Sequence, residues 1–126
     1  MPSEALGILL ISGTHERAHY AFVMAAGAAA LGRSVVLFAT NKGCRALLRD
    51  WSGLDDAQRD AGVQAKGVAG LEELREAAVE LGVRTIACEA GLRAESIDPS
   101  GLLPQTQVAG VATFLYAVGR GQIVTL

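Results

Sequence analysis

Residues 6–11, 34–39, 83–88, 107–109 and 122–126 form five short apolar runs separated by longer, more polar stretches, and each has the length and content of a β-strand. The first, second and last are nearly continuous in Ile, Val and Leu instead of alternating, as strands buried on both faces of a parallel sheet are. Parallel neighbours cannot be joined by tight turns, so helices are expected between them. Residues 16–32 predict one, with Thr14 as its N-cap and Gly32 as its stop. Its second half, 22–31, is small and apolar all round, which requires deep packing. Residues 71–81 predict an amphipathic helix in which Leu71, Leu74, Ala78 and Leu81 share one face, Glu72, Glu73, Glu76 and Glu80 turn away, and Gly82 ends the run. A short helix is expected over 89–94. The last is expected over 110–118, where Val111, Phe114, Leu115 and Val118 come almost without charge and Gly119 follows; so apolar a late helix points to a subunit interface. Strands and helices alternating at this spacing predict an α/β protein, a three-layer α/β/α sandwich with right-handed crossovers, built as a single domain over 1–126.

Two segments break the alternation. Residues 51–70 dissolve into Gly, Asp, Gln and Ala without a sustained period and are expected as a long surface excursion, either a lid or partner-binding segment or a poorly ordered insertion. Pro99 and Pro104 bracket a second loop over 98–106.

Composition narrows the function classes. With 126 residues and 51% hydrophobic content, the chain holds one core. Eleven Lys and Arg against thirteen Asp and Glu leave a net charge of -2, too little positive charge to hold a phosphate backbone, and 5% aromatics disfavour base stacking. Nucleic acid is not an expected partner. Glu4 stands where a secretory leader carries basic residues, and the longest apolar stretch, 21–31, falls short of the roughly 20 residues that span a bilayer, so no membrane partner is expected. Two cysteines are too few for a disulfide framework, which favours a reducing, cytoplasmic setting.

Ligands of open parallel sheets collect at the carboxyl ends of the strands, where loops and helix N-termini converge. That rule nominates Ser12, Gly13, Thr14 and His15 after the first strand; Thr40, Asn41, Lys42, Gly43 and Cys44 after the second; Cys88 and Glu89 after the third; and Gly110 after the fourth. Both cysteines therefore fall at one edge of the sheet. Cys88 closes a strand and opens a short helix, whose unpaired N–H groups favour a nucleophilic thiolate; Glu89 opposes this by like charge and Arg93, one turn on, offsets it. The alternative is a buried cysteine packing as a small hydrophobe. Cys44 has Lys42 and Arg45 beside it, which also favours ionisation, or else it points into the core. If the second and third strands are neighbours, geometry decides whether the two thiols come within disulfide reach.

His15-Glu16-Arg17-Ala18-His19 matches H-E-x-x-H, a string that on a helix sets two imidazoles on one face for zinc. Here it sits in the first turn after a strand, and His15 and His19 are the only histidines, so no third imidazole follows and no metal is expected. His15 is expected at the cleft mouth and His19 solvated or capped. Ser12-Gly13-Thr14 is too short for a P-loop, no G-x-G-x-x-G follows the first strand, and G-x-S-x-G is absent, so neither a bound cofactor nor a Ser-His-Asp nucleophile is expected.

Taken in order, several segments resemble the DsrE/DsrF sulfur-relay family, in particular its small DsrE-like, peroxiredoxin-like branch. Residues 8–14 resemble the family's first strand and loop, Ala25-Ala26-Gly27-Ala28-Ala29-Ala30-Leu31-Gly32 its alanine-rich first helix, and 35–38 with 40–43 its second strand and turn. Gly82-Val83-Arg84-Thr85-Ile86-Ala87-Cys88 is similar to a G-V-x-x-x-A-C stretch, and Val108-Ala109-Gly110-Val111-Ala112-Thr113-Phe114-Leu115 to a G-V-A-T-F-L segment. The likeness covers most of the chain outside 51–70. It implies a five-stranded parallel sheet of the DsrEFH-like kind and homo-oligomers, trimers or hexamers. It also implies a sulfurtransferase-type activity in which a cysteine carries sulfane sulfur as a persulfide between donor and acceptor proteins. By position that cysteine is Cys88, with Cys44 as a second thiol and Gly13, Thr14, His15, Asn41, Glu89 and Gly110 lining the cleft. Two features depart from the family. Relatives of this branch often carry Gln and Met after the cysteine, where this chain has Glu89-Ala90-Gly91, and Cys44 stands where an apolar residue is expected. Some members lack a working cysteine and serve as structural subunits, so the competing reading is a non-catalytic oligomeric interaction or small-ligand-binding subunit.

Overall fold

The computed structural model describes residues 4–126. Strands β1 (Leu6–Leu10), β2 (Val35–Ala39), β3 (Arg84–Cys88), β4 (Gln107–Ala109) and β5 (Gln122–Thr125) form one parallel sheet in the order β4-β3-β2-β1-β5. Helices α1 (His15–Ala30), α2 (Arg59–Ala65), α3 (Leu71–Glu80), α4 (Glu89–Ala94) and α5 (Val111–Val118) connect them, and a 3₁₀ helix, Asn41–Leu47, follows β2. The architecture is the α/β sandwich with a five-stranded parallel sheet expected from the sequence. Thr14 caps α1 as predicted, its hydroxyl accepting the Arg17 N–H at 3.3 Å.

From β1 to β4 the chain steps one way across the sheet, then reverses to place β5 on the far side of β1. With right-handed crossovers, such a reversal puts the connecting helix on the opposite face. The core divides accordingly. Ile8 and Leu10 of β1, Leu37 and Ala39 of β2 and Ala87 of β3 pack with Ala18, Ala21, Phe22 and Ala25 of α1 and Leu71 and Ala78 of α3. Residues one position out of step, Val36, Phe38, Ile86 and Cys88, belong to a smaller cluster with Phe114 and Val118 of α5. There the Phe38 and Phe114 rings stack with centroids 4.9 Å apart. Gly7 makes this possible: a Cβ on it would meet Val118 Cγ2 at 2.5 Å and the Phe114 ring at 3.0 Å.

Three expectations need correction. The last strand is not buried on both faces: among the described residues β5 pairs with β1 alone, and Ile123 is 41% exposed, because an apolar run does not reveal that its strand lies at an edge. Nor are residues 51–70 simply a surface excursion, since they contain α2 and bury Leu54 and Asp60. On α3, Leu81 falls beyond the helix and is exposed, whereas Arg75 is buried. Its guanidinium donates to the carbonyls of Ala46, Leu48 and Arg49 and to Glu72, which supplies the partners that a buried charge requires. Among the described residues no helix is long and apolar enough to cross a membrane.

Candidate functional site

β3 ends on Cys88, which serves as the N-cap of α4, and its Sγ accepts the Gly91 N–H at 3.4 Å. Strand alternation turns this side chain to the α5 face, where it is 8% exposed. The sulfur therefore has an apolar flank and an N–H flank. A thiol accepts an N–H weakly, whereas a sulfur anion accepts it well, so the arrangement suits sulfur that carries negative charge. Glu89 is exposed beside it and bonds Arg93 at 3.0 Å one turn on, the offset expected from the sequence.

The cleft-lining candidates separate into two groups. Ala109 is in register with Cys88, so Gly110 follows directly beside it. Ala39 pairs with Ala87 on the other side, which brings Thr40 and Asn41 alongside α4. Asn41, Glu89 and Gly110 thus lie on segments that flank the end of β3 at Cys88. Gly13, Thr14 and His15 do not, because they follow β1, which is separated from β3 by β2. The Thr14 hydroxyl is occupied with the α1 cap and with Ser12 Oγ at 3.0 Å, and Gly13 is buried against Lys42.

Neither histidine stands where the sequence reading expected it. His15 is fully buried and bonds Asp60 through Nε2 at 2.7 Å, while its Nδ1 has no partner. His19 is also buried; its Nε2 donates to the Ala69 carbonyl at 2.8 Å and its ring stacks on His15. Helical spacing of four residues does stack the two rings, but on the face of α1 that receives 51–70 instead of on an open cleft. Asp60 accepts three donors, His15, Gln64 Nε2 at 2.7 Å and the Leu71 N–H at 2.8 Å. Burial pushes its carboxyl up, but those hydrogen bonds outweigh burial and hold it below the usual carboxylate range. The H-E-x-x-H string is thereby accounted for as part of a packed polar cluster. Among the described residues no group of three or more His, Cys, Asp or Glu side chains is placed to hold a metal ion. Sequence reasoning missed Asp60, since its partners come from other elements and its own segment has no period.

Cys44 lies on the opposite side of the sheet from Cys88, within the α1 and α3 core. It is fully buried and its thiol donates to the Ala39 carbonyl at 3.4 Å. Burial pushes it up to about 12 despite a backbone N–H from Cys88. The neighbouring Lys42 and Arg45 do not make it a thiolate, and both cysteines are free thiols. A groove of about 540 Å³ lies elsewhere, between the Glu72, Glu76 and Glu80 side of α3 and Leu103 and Gln105.

Comparisons agree with this architecture. The fold is similar to that of the ychN protein from E. coli (TM-score 0.73, 12% identity, 98% of this chain and 99% of that one). It is also similar to MTH1491 from Methanobacterium thermoautotrophicum, a protein of unknown function (TM-score 0.61, 17% identity, 98% and 100%). In sequence, the chain is 26% identical to the sulfur carrier protein DsrE2 of Allochromatium vinosum over 155 aligned positions, covering 98% of each. The model of the DsrE/DsrF/DrsH-like family matches residues 51–126, a span that carries β3, the candidate cysteine and α5. By that match the chain belongs to the DsrE/DsrF/DrsH-like family.

Proposed function

We propose that this protein is a sulfur relay that carries sulfane sulfur as a persulfide on Cys88. The observation that carries the reading is the contrast between a sulfur at the carboxyl edge of the sheet, held on the Gly91 N–H, and a second thiol sealed in the core. The name of the sulfur carrier relative supports it. In the loading step the Cys88 thiolate attacks the outer sulfur of a donor R–S–SH. A new S–S bond forms, the donor's S–S bond breaks, and R–S⁻ leaves and takes up a proton. In delivery an acceptor thiolate attacks the outer sulfur of Cys88–S–SH, and the Cys88 thiolate is the leaving group. Sulfur donor and acceptor proteins are the partners, and a reducing, cytoplasmic setting would suit a working free thiol. A homo-oligomer is part of the proposal, because Val111, Leu115 and Tyr116 of α5 and Val108 beside it leave an apolar surface exposed.

The 8% exposure of Cys88 favours a second reading, a non-catalytic interaction or small-ligand-binding subunit of the same fold. Persulfide labelling after incubation with a low-molecular-weight hydropersulfide separates the two. Labelling is expected in the parent and in Cys44→Ser and is lost in Cys88→Ser. Equal labelling of Cys88→Ser and parent, or no labelling of the parent, ends the carrier reading.

A further inference from the structure

Gly91 occupies the third position of α4, where glycine is disfavoured relative to alanine because it has the most backbone freedom to lose. Its surroundings supply the reason for it. Although Ala90 and Arg93 are exposed, Gly91 is buried. A Cβ built on it would overlap the backbone nitrogen of Asn41, reach Thr40 Oγ1 at 2.6 Å and meet Thr40 Cα at 3.1 Å. Two of those three atoms are backbone and cannot rotate aside. Asn41 itself adopts a left-handed conformation, φ 52°, so the turn that receives Gly91 is a specific one. Gly91, meanwhile, donates its N–H to Cys88 Sγ.

We infer that Gly91 is the positioning residue of the Cys88 sulfur: lacking a side chain, it seats the first turn of α4 against Thr40 and Asn41 and thereby holds its amide on Sγ. The inference deepens the carrier reading and rests on Cys88 being the working thiol. Alanine at 91 has to push α4 away from the turn after β2, and the amide moves with it. The effect on the sulfur is electrostatic, since loss of one N–H donor weakens the anion far more than the neutral thiol.

The test is the rate of Cys88 alkylation by iodoacetamide in Gly91→Ala against the parent, at pH 7 and at pH 10. The variant is expected to react about fivefold more slowly at pH 7, the size of one hydrogen-bond contribution, and to come closer to the parent's rate at pH 10. A merely structural defect would change both rates together. Equal rates at pH 7 in folded Gly91→Ala overturn the inference. Should the variant fail to fold, the parent decides by NMR: the Gly91 amide resonance is expected to move in step with the Cys88 Cβ resonance as pH is raised, and an amide that stays still while Cβ titrates overturns it. Alkylation requires no sulfur donor. A failure here therefore leaves the persulfide experiment unaffected, and an unlabelled Cys88 in that experiment leaves the Gly91 result standing.

Discussion

The two faces of the sheet hold one cysteine each and treat it differently. On one face α1 and α3 form a full layer, α2 extends it, and charged groups are buried only with partners, Asp60 with its three donors and Arg75 with its carbonyls. Cys44 lies beneath that layer and stays protonated. On the other face α5, eight residues long, is the only helix among the described residues, and it brings Phe114 and Val118 down onto Gly7 and Phe38. Cys88 sits at the end of that thin cover, where an N–H rather than a side chain closes the sulfur. The different settings of two identical thiols thus come from the thickness of the layer above them, and sequence neighbours such as Lys42 and Arg45 do not reverse the burial of Cys44.

The largest effect expected from this contrast is in labelling. With Cys44 pushed up to about 12, roughly one molecule in 10⁵ has it as thiolate at pH 7, so iodoacetamide followed by mass spectrometry should modify Cys88 and leave Cys44 until the protein unfolds. Comparable modification of both in the folded state breaks the comparison. The same burial makes Cys44 a source of alkaline sensitivity. A folded-state value above the unfolded one stabilises below about pH 9.0 and loses that stabilisation as pH rises toward 12, so Cys44→Ala should melt with less dependence on pH over that window.

Next in size is Phe114→Ala, which removes the main apolar contact of the thin face and should lower stability by about 4 kcal/mol in urea unfolding. On the thick face Asp60→Ala leaves both nitrogens of a buried His15 without a partner and should cost about 3 kcal/mol. Asp60→Asn gives a finer reading. Because the carboxyl is held below its ordinary value, its stabilisation is present above about pH 3.8 and lost as pH falls below that, an acid limb that the Asn variant should lack. The smallest effect on the fold is expected at Tyr116, which is 90% exposed: Tyr116→Ser should shift stability by less than about 0.5 kcal/mol. Light scattering should nonetheless show a lower molecular mass if the α5 surface joins subunits, and an unchanged assembly argues against that surface.

Much of the scaffold was legible from periodicity. The runs that became β1 to β5 and the helices at α1, α3, α4 and α5 were recoverable because strand and helix patterns are local. The cap at Thr14 and the placement of Cys88 between β3 and α4 followed from the same reading. Asp60 was not recoverable, since a carboxylate in an aperiodic stretch looks solvated until α1 supplies His15. The importance of Gly91 was equally hidden, because the residues it must avoid, Thr40 and Asn41, are some fifty positions away in the chain.

By itself, the amino-acid sequence determined that apolar strands and helices alternate and that a thiol stands where β3 gives way to α4, because these depend on residues a few positions apart. Tertiary structure alone decided that β5 is an edge, that His15 and His19 turn inward, and that Cys44 is sealed while Cys88 is held on an amide. Those outcomes depend on what distant segments bring to a given point in space, and burial, the quantity that sets charge state and access, exists only after the layers have closed.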